Sequence, residues 1–187
     1  MLPLLGETEQ FEALLNSLRP PRARAAAIAP DPATEYVVAA LWRESDAPMF
    51  VLTPNPESAR KLHDRLCTLL GDDIRIFHFA ESEDIPFERY VPDLGASHQR
   101  LQALAALRGE IKGVKKPLVV ASIRAATQAT LERAAFDSST HLLSVRDRIN
   151  LGAQVRQWLD MGYSHEPTVE IPGTISRRGG ILDIFPV

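Results

Sequence analysis

The chain has one cysteine, Cys67, among 187 residues. A lone cysteine excludes an intrachain disulfide framework, and no cysteine or histidine grouping has zinc spacing, so a reducing compartment, the cytoplasm, is the expected setting. No run reaches the roughly 18 apolar residues needed to cross a bilayer, and the first residues lack a basic-then-apolar export signal. Excess positive charge is also missing. The net charge is -3, which argues against a dedicated nucleic-acid domain, because phosphate binding rests on clustered Lys and Arg. Aromatic residues make up only 6% of the chain. A core must therefore come from aliphatic residues, and a hydrophobic content of 45% is ample for one α/β domain and part of another.

What is present alternates in period. Phe11, Leu14, Leu15 and Leu18 define one helical face, ended by Pro20-Pro21. Ala25 to Ala29 is a short apolar run that predicts a first strand. Thr34 to Trp42 predicts a helix with Val37, Val38 and Leu41 inward, and Met49 to Leu52 a second strand. Pro56 sits at a helix start, Ala59, Leu62, Leu66, Leu69 and Leu70 supply its apolar stripe, and Gly71 stops it. Ile74 to Phe79, a helix carrying Leu101, Leu104 and Leu107, and Leu118 to Ala121 continue the βαβα order. That order implies a mostly parallel sheet with helices on both faces.

The rhythm changes after about residue 126. His141 to Val145 predicts a strand, and Leu151, Val155, Trp158 and Leu159 a helix that Gly162 ends. Thr168 to Ile171, the turn Pro172-Gly173, Thr174 to Arg178 and Gly180 to Phe185 then predict a β meander. The expected organisation is an α/β domain over 1–126 and a smaller α+β domain over 127–187. Its last strand is one after which a longer protein is expected to continue.

Three segments could carry chemistry or binding. The first is Ala29 to Glu35, where an open α/β sheet would bind a ligand beyond the carboxyl end of its first strand. A nucleotide-binding loop needs glycines, so that backbone N–H groups wrap phosphate, and a Lys followed by Ser or Thr. This loop has neither glycine nor lysine. Pro30 and Pro32 each remove a donor, and Asp31 and Glu35 would repel a triphosphate. The second is Glu81 to Asp93, whose acids suit general acid/base work, a metal site, or a solvated loop pinned by Ile85, Phe87 and Tyr90. The third is the basic set Arg100, Arg108, Lys112, Lys115 and Lys116, either a phosphate-binding face or a solvated connection.

Two motifs carry a family resemblance. Arg178-Gly179-Gly180-Ile181-Leu182-Asp183-Ile184-Phe185-Pro186 resembles a signature shared by transcription-repair coupling factors and the excision-repair protein UvrB. Glu83-Asp84-Ile85-Pro86-Phe87-Glu88-Arg89, followed by Pro92-Asp93 and Arg100-Leu101, is similar to a coupling-factor pattern. The missing nucleotide loop, and the absence of room after Pro92-Asp93 for the DNA-clamping hairpin of UvrB, favour the coupling-factor side.

The resemblance implies a degenerate helicase-like α/β sheet followed by a small UvrB-like domain, with no cofactor in this segment. ATP and magnesium would serve other parts of a full-length family protein. It also implies an adaptor that docks on UvrA, while RNA polymerase and double-stranded DNA would be partners of the full-length protein. Carried over by position, Tyr163 matches a family tyrosine, and His165, Ser176 and Arg178 fall where UvrB has contact arginines. Only Arg178 is kept in kind. The implied UvrA-binding residues are Arg178, its neighbour Arg177, His165 and Phe185. The alternative is a nucleotide-binding or DNA-binding UvrB-like enzyme fragment.

Overall fold

Helix starts are set by short polar side chains. In the computed structural model, which describes residues 5–82 and 94–186, the Thr8 hydroxyl accepts from Phe11 N at the start of α1 (Glu9–Leu18). The Asn55 side chain likewise accepts from Ser58 N, 2.8 Å, opening α3 (Pro56–Leu70) with Pro56 in its first turn. Gly71, at φ +81°, closes that helix with its N–H on the Cys67 carbonyl, a conformation that any Cβ would strain. Between α1 and α3 lie a short 3-10 turn at Asp31–Ala33, α2 (Thr34–Glu44) and the strand β1 (Met49–Thr53). β2 (Ile76–Phe79), α4 (Leu94–Leu107), β3 (Leu118–Ser122) and α5 (Ile123–Thr127) follow.

The sheet is parallel, in the order β1-β3-β2, with Val51 and His78 both opposite Val120. β3 is therefore the central strand, and it is buried along its whole length. Its alternate side chains feed two separate cores. Leu118 and Val120 pack with Ala39 and Trp42 of α2 and with Ala59, Leu66 and Leu70 of α3. Val119 and Ala121 pack with Phe77, Phe79, Ala103 and Ala106 of β2 and α4 and with Ala125 of α5. A continuous apolar strand with helices on both faces is what a parallel sheet requires.

Beyond α5 the chain forms α6 (Arg133–Ser139), α7 (Leu151–Asp160) and a small sheet in the order β4-β5-β6. Its strands are β4 (Ser164–His165), β5 (Thr174–Arg178) and β6 (Ile181–Phe185). β5 and β6 form an antiparallel hairpin in which Arg178 faces Ile181 across the two-residue loop Gly179-Gly180. Gly179 takes φ +61°, and the first loop position of such a hairpin needs that left-handed backbone. Mixed α/β architecture, with a helix-flanked parallel sheet and a smaller second sheet, is thus as expected from the sequence.

Several elements differ from expectation. Ala25 to Ala29 forms no strand, and Ile28 is fully exposed at 104%; four of its five residues are alanines, which bring little surface to bury. His141 to Val145 is also outside any strand. Leu142 and Val145 are 86% and 94% exposed, and Ser144 N donates to the Asp147 carboxylate at 2.7 Å, bending the chain into a turn just before Arg146 at φ +83°. Thr168 to Ile171 gives way to Ser164–His165, which pairs in parallel with β5 through Ser164 N to Gly173 O and Glu166 N to Ile175 O. The sheet is therefore mixed where a meander is expected.

Helix faces shift as well. In α2 the buried residues are Ala39, Ala40 and Trp42, with Val37, Val38 and Leu41 half-buried. In α4 they are Ala96, Arg100, Ala103 and Ala106, while Leu107 is exposed. Small side chains line the part of α4 nearest the sheet, Leu104 packs half-buried against the same core, and Leu107 is left on the exposed flank.

Candidate partner-binding hairpin

The β5-β6 register decides which candidate residues can act together. Side chains alternate across a strand, so Thr174, Ser176 and Arg178 share one face with their opposites Phe185, Asp183 and Ile181. Ile175 and Arg177 share the other face with Ile184 and Leu182, and His165, opposite Ile175 in the parallel pair, joins them. Arg178 and Phe185 are thus on one face, and Arg177 and His165 on the other. The four candidates do not form one cluster.

On the first face, Arg178 donates to the Asp183 carboxylate at 2.7 Å, diagonally across the hairpin. Both groups are accessible, so the pair adds little to stability, typically about 0–1 kcal/mol. Its effect is to hold the guanidinium fork in one orientation beside Ile181, which is exposed; Phe185, 38% exposed, lies on the same face at the far end of the hairpin, opposite Thr174. A charged fork next to apolar surface suits a carboxylate-bearing protein partner. Asp183 is part of the signature motif, but its contact with Arg178 was not anticipated from the sequence. The signal was the diagonal spacing across a Gly-Gly loop.

Ser176 is not part of this surface. It is 97% covered, with 3% relative exposure, and its hydroxyl donates to the Pro167 carbonyl at 3.1 Å. On the opposite face Arg177 is exposed and reaches back to the Gly179 carbonyl at 3.4 Å, and His165 is exposed. Trp158 is buried, with the Tyr163 ring 6.2 Å away, so these two aromatics pack against each other.

The other segments are also placed. Ala29 to Glu35 follows exposed coil and turns directly into α2. Glu35 lies 3.7 Å from the Arg65 guanidinium, an ion-pair distance too long for a hydrogen bond, and its buried Oε2 accepts none. The proposed acidic-loop residues Glu83 to Asp93 lie outside the described residues. Cys67 is half-buried, its Sγ 3.6 Å from His63 Nε2. Burial, and then Asp64 and Asp72, push its thiol up, which disfavours the thiolate a nucleophile needs. Among the described residues no group of three or more His, Cys, Asp or Glu side chains could hold a metal, and no helix is long and apolar enough to cross a membrane.

Of the basic set, three members are committed to the fold. Arg100 is buried, lies 4.1 Å over the Phe79 ring and donates to the Ala80, Ala125 and Ala129 carbonyls and to Gln128. Arg108 pairs with Glu110 at 2.7 Å and with Asp137. The Lys116 ammonium donates to the carbonyls of Trp42, Arg43 and Ser45. Lys112 and Lys115 are exposed.

A helix-covered parallel sheet, followed by a small mixed sheet whose hairpin carries the Arg-Gly-Gly signature, is consistent with a UvrB-homology segment. The comparisons give it more particular relatives. The chain is similar to the transcription-repair-coupling factor of Bacillus subtilis (strain 168), with 29% identity over 185 residues, 98% of this chain and 15% of that protein. It matches the Myxococcus xanthus transcription-repair-coupling factor at 30% over 155 residues, 80% of this chain and 13% of that protein. The UvrABC system protein B of Fervidobacterium nodosum is 26% identical over 159 residues, 81% of this chain and 24% of that protein. No family model matches the chain. The chain therefore spans less than a quarter of the length of each of these relatives.

Proposed function

We propose that this chain is a non-catalytic adaptor segment serving nucleotide excision repair, which docks on UvrA and so brings the excision machinery to a stalled RNA polymerase. The observation that carries the reading is double similarity: 80% or more of the chain matches both coupling factors and a UvrB. Residues common to two repair proteins of different roles are suited to a shared partner.

The hairpin supports this chemically. Arg178, braced by Asp183 and opposite the exposed Ile181, offers one oriented charge-assisted donor set, with Phe185 on the same face farther along the hairpin. Arg177 and His165 on the reverse face would serve a partner only if it wraps the sheet edge. In this reading 1–126 is the supporting degenerate helicase-like domain and 127–187 the binding domain. In the same reading ATP, magnesium, RNA polymerase and the double-stranded DNA of the translocating motor are assigned to other segments of a longer protein.

The test is a calorimetric titration of the chain with purified UvrA. Arg178→Ala is expected to weaken binding by about 1–3 kcal/mol, the range for an interface anchor, with an unchanged circular dichroism spectrum. Equal affinity of parent and variant would remove Arg178 from the surface. Absence of binding by the folded parent would refute the adaptor role of this chain.

A further inference from the structure

At the amino ends of the parallel strands lies an open cavity of about 410 Å³ whose lining includes Trp42, Asp73, Arg75, Lys112, Lys115 and Lys116. Four of these side chains are cationic and one is a carboxylate. Arg75 immediately precedes β2, and the lysines come from the turn that leads into β3, so the parallel pairing of β2 with β3 brings together charges far apart in sequence. The cavity is at the opposite end of the sheet from the strand carboxyl ends, where the absent nucleotide loop would act.

Arg75, Lys112 and Lys115 are exposed and have no hydrogen bond or ion pair among the described residues. Lys116 adds its charge while its ammonium is fixed by three carbonyls and stands 4.8 Å over the Trp42 ring. In a chain of net charge -3, this local excess of positive charge is self-repelling until an anion enters.

We infer that this cavity rim is a phosphate-binding surface for the phosphodiester backbone of duplex DNA, read without regard to base sequence. Exposed, flexible Lys and Arg around an open rim are the usual means of neutralising backbone phosphates. A compact site for free phosphate would instead use converging backbone N–H groups. Trp42 is buried and offers no face for base stacking, which favours the duplex over an unstacked single strand. The inference does not depend on the adaptor reading, because its test contains no UvrA.

Fluorescence anisotropy of a labelled duplex, titrated with the chain at several KCl concentrations, tests it. Three phosphate contacts predict a slope of log K on log salt of about -2.7, so that affinity falls about 40-fold between about 50 and about 200 mM salt. Arg75→Ala/Lys112→Ala/Lys115→Ala should abolish the salt-dependent binding, and Lys115→Gln alone should reduce the slope by about 0.9. Arg133→Ala/Arg148→Ala/Arg156→Ala removes the same charge elsewhere and should leave the slope unchanged. An equal loss in that control, a single-site slope that does not move, or no duplex binding at low salt would overturn the proposal. Saturable shifts of the Gly113 amide with inorganic phosphate but none with duplex would assign the rim to free phosphate instead, which also overturns it.

Discussion

Arg100 illustrates how one side chain can be assigned oppositely by composition and by packing. Within a basic set it reads as a phosphate ligand, yet at 8% exposure its guanidinium satisfies three backbone carbonyls and covers the Phe79 ring. Removing it would leave those acceptors without their donor in a place water does not reach. Arg100→Met is therefore expected to lower unfolding free energy by about 3 kcal/mol, measured by urea denaturation, with no change in the salt slope of duplex binding. A loss below about 0.5 kcal/mol would mean that the neighbouring groups find other partners. Arg178 is the converse case. Its ion pair with Asp183 is solvated and contributes little to folding, which leaves it available to a partner protein.

Elements formed where a short segment found a ladder partner, and failed where it did not. β3 has neighbours on both edges and helices on both faces, so Leu118, fully buried, has no exposed alternative. Leu118→Ala is expected to cost about 2–5 kcal/mol, by the loss of transfer energy and the cavity left behind. Leu142→Ser should change stability by no more than about 0.5 kcal/mol, because its side chain is already in solvent. Parallel thermal or urea melts of the two variants check the contrast, and equal losses would mean that His141 to Val145 is packed. Both residues belong to short apolar runs of similar pattern. The difference is tertiary: a strand is an agreement between two segments, and periodicity describes only one of them.

For the whole molecule, the stretch from about 140 to 150 joins α6 to α7, and its residues are exposed with no helix or strand. Limited trypsin digestion of the native chain should therefore cut first at Arg146 or Arg148, since exposed segments without backbone pairing adapt to a protease most easily. First cleavage within α3, at Arg60 or Lys61, would contradict this ordering. Much of this organisation was legible in the chain. The βαβα order, the helix start at Pro56 and stop at Gly71, the central apolar strand, the Gly-Gly hairpin and the resemblance on its signature all depend on neighbours in sequence, where turn chemistry and period suffice. Three outcomes depended on segments distant in the chain. These are the distribution of Arg178 and His165 to opposite faces, the internal use of Arg100 and Lys116, and the meeting of Arg75 with Lys112 and Lys115. The sequence by itself determined which elements could form and which residues could carry charge. Only the tertiary structure decided which charges are neutralised by buried carbonyls and which remain in solvent for a partner, because that depends on burial and on strand register.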